Sequence, residues 1–109
     1  MKNLSDVLVV SESETLRTLV KFALGRWWGV VIRNADSHAA ASAALDERTP
    51  QLAILDMALP SAGDLGPAIA QKTRIVAVNA LGPVSWAHES ADPPFQPQKL
   101  HAAIEGLSD

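Results

Sequence analysis

The chain contains no cysteine, which excludes a disulfide framework, thiolate zinc sites and a cysteine nucleophile. Aromatic residues are few: three Trp, two Phe and no Tyr in 109 residues. Basic residues are scarce as well, nine against twelve acidic ones, for a net charge of −3. That balance argues against the basic face a nucleic-acid binder presents. No apolar run reaches the ~18 residues a membrane span needs. Met1 to Val10 also lacks the long apolar stretch and small-residue cleavage site of a signal peptide. The expectation is a cytoplasmic domain with no direct contact to nucleic acid or membrane. Apolar residues make up 48% and charged residues 19% of the chain, enough to bury a core, and the length predicts one domain, 1–109.

Val7-Leu8-Val9-Val10 is a continuous aliphatic run of the kind found in strands covered on both faces. Ser11 and Glu14 stand in capping-box spacing, and Leu16, Leu19, Val20, Ala23 and Leu24 then recur at helical intervals. Trp28 to Ile32 reads as a second strand. Asp36 or Ser37 caps an alanine-dense helix reaching about Arg48. Gln51 to Leu55 is a third strand, finishing on Asp56. Pro60 to Gly66 reads as a turn, with a short helix from Pro67 to Lys72. Arg74 to Val78 is a fourth strand, Asn79 to Pro94 is irregular, and a last helix begins near Pro97. Strands alternating with helices predict an α/β fold: a doubly wound parallel sheet with helices on both faces.

In such a sheet, ligands bind outside the carboxyl ends of the strands. The residues delivered there are Ser11, Glu12 and Ser13 after the first strand, Asp56 and Met57 after the third, and Asn79 and Ala80 after the fourth. Glu12 and Asp56 are candidate ligands for a hard divalent ion such as Mg²⁺. The competing reading is that Ser11 and Glu12 cap and charge the first helix, and that Asp56 forms a turn.

Taken together, these segments resemble the receiver domain of two-component response regulators over nearly the whole chain. Val7 to Val10 followed by Ser11-Glu12 is similar to that family's first strand and acidic pair. Leu52-Ala53-Ile54-Leu55-Asp56-Met57-Ala58-Leu59-Pro60 is similar to its strand ending on the phospho-accepting Asp. Pro94-Phe95-Gln96-Pro97 with Leu100 is similar to the start of its last helix. The resemblance implies a flavodoxin-like strand order, 2-1-3-4-5. It also implies Asp56 as the candidate phospho-acceptor, Mg²⁺ as the ion, and a histidine kinase or effector domain as partner.

Four departures from that pattern stand out. Ser11 replaces the first acid of the pair, Asn79 occupies the switch-hydroxyl position, and Pro93 falls where a Lys is normal. The intervals Asp56–Asn79 and Asn79–Pro93 are short, so the region between the fourth strand and the last helix is reduced. Phosphoryl transfer relies on positioned cations to stabilise spread negative charge. The expectation is therefore a degenerate, non-enzymatic pseudo-receiver acting as a protein–protein interaction module, with no cofactor or weakly bound Mg²⁺. The alternatives are a working Mg²⁺-dependent acceptor on Asp56, and a small-ligand or flavin-binding domain on the same fold.

His38, His88 and His101 are scattered and are expected to be solvated rather than metal ligands. Ser11, Ser13 and Thr15 lack the glycine of a phosphate-binding loop. Trp27, Trp28 and Trp86 are expected to plug a core otherwise filled from alanine-rich helices. Trp86, in the reduced region, is also a candidate partner contact, and a homodimer is an open expectation.

Overall fold

Strands and helices alternate along the chain in a computed structural model that describes residues 1 and 3–107. The strands are β1 (Asp6–Val10), β2 (Val31–Ala35), β3 (Leu52–Asp56), β4 (Arg74–Val78) and β5 (Glu89–Ala91). The helices are α1 (Glu14–Ala23), α2 (His38–Glu47), α3 (Ala62–Ala70) and α4 (Pro97–Glu105), and a single 3₁₀ turn, Leu24–Arg26, follows α1. All strand pairs are parallel and the order is β2-β1-β3-β4-β5, the flavodoxin-like arrangement.

Because successive side chains on a strand point to opposite faces, the apolar runs feed two separate layers. Val7 and Val9, Leu52 and Ile54, and Val76 and Val78 pack with Leu16 and Val20 of α1 and Leu100 and Ile104 of α4. Leu8 and Val10, Ala53 and Leu55, and Ile75 pack with Ala41 and Leu45 of α2 and Leu65 and Ile69 of α3. Both faces are covered, which is why β1 and β3 tolerate no alternating polar residues.

Several local expectations are corrected. The second strand begins at Val31, three residues later than expected, because Trp27 and Trp28 belong to the turn before it. Trp27 leans on the core, whereas Trp28 is 98% exposed and plugs nothing. Ser13 caps α1, its hydroxyl accepting from Leu16 N–H at 3.1 Å, so the Ser11–Glu14 capping box is not formed. Ser37 does cap α2, by the same bond to Ala40. The third helix starts at Ala62 and carries Pro67 inside it. Pro67 has no N–H to offer the carbonyl of Gly63, but Gly63 is exposed and water can serve it.

No helix forms between β4 and β5 among the described residues. The segment 79–88 instead lays Trp86 and Ala87 onto the α2/α3 layer. The Trp86 ring lies against Gly66, where any Cβ would overlap it. β5 is a three-residue edge strand with Glu89 and Ser90 exposed, too short and polar to announce itself in the sequence.

Candidate functional site at the carboxyl edge of the sheet

β1, β3 and β4 end side by side, and their last or following residues meet at one point. Asp56 closes β3 opposite Val78 and is buried, as is Ser11, the residue after β1. The backbone holds both in place: Ser11 N–H donates to Ala35 O at 2.9 Å, and Met57 N–H to Val78 O at 2.9 Å. A buried carboxylate must find hydrogen-bond partners or neutralise, and Asp56 finds three. The Ser11 hydroxyl donates to Oδ2 at 2.7 Å. Oδ1 accepts from the Ala58 backbone N–H at 2.9 Å and from Asn79 Nδ2 at 3.2 Å.

Asn79 reaches this position from a left-handed backbone, φ 58°, a conformation that Asn tolerates better than most side chains. Ser11 Oγ serves a second purpose by accepting from Ser13 N–H at 3.0 Å, which ties the acidic pocket to the start of α1. Arg17, one turn into α1, donates from Nη1 to the Ser11 carbonyl at 2.9 Å. Sequence reasoning passed over Arg17; its only signal is its place one helical turn beyond the cap.

The other candidates lie apart from this cluster. Glu12 is exposed, and its side chain forms no hydrogen bond or ion pair among the described residues. Pro93 is exposed and joined to Pro94 by a cis peptide. Lys99 donates to Asp92 Oδ1 at 3.2 Å, and that hydrogen bond holds the Asp92 carboxyl below its usual range. Lys72 is exposed beyond the end of α3. No Lys, Arg or His among the described residues donates to Asp56. Trp86 is half-buried, packed on the α2/α3 layer with part of its surface still accessible. An open hollow of about 420 Å³ lies beside the pocket, lined by Met57 and residues 79–84.

A divalent ion such as Mg²⁺ takes oxygen ligands, commonly from more than one carboxylate. Here one buried carboxylate already has both oxygens engaged by neutral donors, and no group of three metal-ligating side chains occurs among the described residues. The donor set does not fit a tightly held ion.

No protein-family model and no curated protein matches the chain. Solved structures do match it. The chemotaxis response regulator CheY4 of Vibrio cholerae is similar with a TM-score of 0.78 and 19% identity, over 94% of this chain and 98% of that one. A response regulator receiver domain protein from Clostridium thermocellum gives a TM-score of 0.76 and 21% identity, over 94% and 92%. A response regulator protein from Burkholderia pseudomallei, solved with a phosphorylated aspartic acid, calcium ion and citrate, gives 0.75 and 16%, over 94% and 67%. The fold is that of response-regulator receiver domains.

Proposed function

We propose that the chain is a receiver domain of a two-component phosphorelay system that works as a protein-interaction module, with its phosphoryl switch dismantled and no catalysis of its own. The carrying observation is that the three hydrogen-bond donors around Asp56 are all uncharged, with no cation among the described residues beside the carboxylate. A phospho-accepting carboxylate needs cations to take up the charge of the transferred group. Each charge-assisted contact is worth about 1.5–3 kcal/mol, roughly ten- to a hundredfold in rate. By the family resemblance, Ser11 stands in the pocket where a second carboxylate would bring the ion, and the residue at the cation's place in the sequence is Pro93, exposed and apart from the pocket. The loss of a helix between β4 and β5, and the seating of Trp86 on Gly66, support a fixed surface in that region rather than a moving one. Its partner on this reading is a signalling protein, a histidine kinase or an effector domain.

Incubation with acetyl phosphate and Mg²⁺ followed by intact-mass measurement tests the reading. The expected spectrum is unchanged. Gain of one phosphoryl group that Asp56→Ala abolishes would establish a working acceptor instead.

A further inference from the structure

We propose that the His88 imidazole is an acid-sensitive fastener for the strap of chain, residues 79–88, that joins β4 to β5 without a helix. His88 grips one residue of β4 twice. Its backbone N–H donates to Ile75 O at 2.9 Å, and its Nδ1 accepts from Ile75 N–H at 3.1 Å. The first ladder pair of these strands is Val76 with Glu89, so the imidazole extends the seam one step further, to Ile75. A ring nitrogen there takes the part that a carbonyl plays in a strand. The two differ in one respect: a carbonyl accepts at every pH, whereas an imidazole nitrogen accepts only while the ring is neutral.

The bond fixes the ring's proton on Nε2. A second proton, on Nδ1, would set N–H against N–H and leave the amide of fully buried Ile75 without this acceptor. His88 itself is exposed, so protons reach the ring without prior unfolding. Only the open strap binds that second proton, and falling pH therefore favours opening. Charged residues on the surrounding elements are of both signs: Arg74 on β4 and Lys72 just before it, Glu89 on β5, Asp64 on α3, and Lys99, His101 and Glu105 on α4. None of them is hydrogen-bonded or ion-paired to His88 among the described residues. Lys99 is engaged by Asp92, and Glu105 by Arg26 and His101. No ion pair therefore opposes the change at the ring.

Opening matters because of what the strap carries. Trp86, two residues before His88, lies on Gly66 of α3, and Ala87 N–H closes the turn that holds it on Val84 O at 3.1 Å. Loss of the Ile75 bond frees the end of the strap next to the indole, so the ring and the glycine surface beneath it become accessible. The surface that is fixed at neutral pH is thereby adjustable by acid. Nothing in this depends on how Asp56 is used; Asn79, which bonds to it, stands at the other end of the strap.

Amide hydrogen exchange of the full chain, resolved by residue with NMR and corrected for the intrinsic rate at each pH, is the test. In the wild type, Ile75 should lose protection at least about fivefold between about pH 7.5 and about pH 5.5, with the Trp86 indole N–H following it. In His88→Asn the carboxamide does not titrate and its oxygen can accept in place of Nδ1, so Ile75 protection should be the same at both pH values. In His88→Ala protection should be low at both. Residue resolution is needed because His101 is a second imidazole beside a tryptophan: it is half-buried rather than solvated, with its ring 5.2 Å from that of Trp27. Equal Ile75 protection at the two pH values in the wild type, or an acid loss that His88→Asn leaves undiminished, overturns the proposal.

Discussion

The Ser11 hydroxyl donates to Oδ2 of Asp56 at 2.7 Å, joining the ends of neighbouring strands β1 and β3 inside the protein. The side chain that lies against the aspartate there is neutral. The bond makes the aspartate part of the scaffold. Ser11 also holds the start of α1, so the strand ends, the first helix and Asn79 form one hydrogen-bonded unit.

Ser11→Ala removes the one partner of Oδ2 among the described residues and should lower stability by about 1–3 kcal/mol, the cost of an unsatisfied buried acceptor. Ser11→Asp has a different signature. Two carboxylates side by side repel, so the variant should melt below the wild type without metal and recover with millimolar MgCl₂ through preferential binding to the folded state. The wild-type melting temperature should ignore Mg²⁺. Differential scanning fluorimetry with and without the salt reads both, and a wild type stabilised by Mg²⁺ would contradict the reading of this pocket.

Gly66 and Trp86 should behave as a coupled pair. In the wild type, Gly66→Ala forces a methyl into the indole and should cost about 1–3 kcal/mol, as overpacking does. Trp86→Ala alone opens a gap over α3 and should be destabilising by ~3 kcal/mol. In that background Gly66→Ala meets no ring, and its helix propensity should make it neutral or stabilising by up to ~1 kcal/mol. A urea-unfolding double-mutant cycle would show the change of sign. Additive effects would mean that the ring does not rest on the glycine in solution.

Asp6 supplies a pH dependence at the opposite edge of the sheet. Burial alone would raise its carboxyl, but hydrogen bonds from Arg48 at 2.9 Å and Arg33 at 3.3 Å outweigh that and hold it below its ordinary value. The unfolded carboxyl, with a pKa near 3.9, therefore binds protons more readily than the folded one. The stabilisation is fully present above that value and fades as pH falls through the lowered folded value. Asp6→Asn should cost about 1–3 kcal/mol at neutral pH, and its stability curve should converge with that of the wild type in acid. Chemical denaturation along a pH series would check the convergence; a constant gap down to the acid limit would refute it.

The strands whose residues are buried on both faces were legible from residue type alone. Arg74–Val78 lies where its aliphatic run places it, and Asp56 stands at the end of β3, because a continuous apolar run fits only a covered strand. The edges were not legible. β2 is half-exposed and carries Arg33 and Asn34, so the bulky Trp27 and Trp28 before it imitated a strand start. β5 has three residues and one buried side chain.

By itself, then, the order of residues determined the class of fold and the strand end on which a carboxylate would stand. Periodicity is a local property, and it sorts residues into covered strands and one-sided helices without reference to distant neighbours. Tertiary structure alone decided that Ser11 would bond to Asp56 rather than cap α1, that Trp86 would rest on Gly66, and that Trp27 would turn inward while Trp28 turned out. Each of those outcomes depends on which distant atom fills the space beside a side chain, and that is fixed only when the sheet and its layers close.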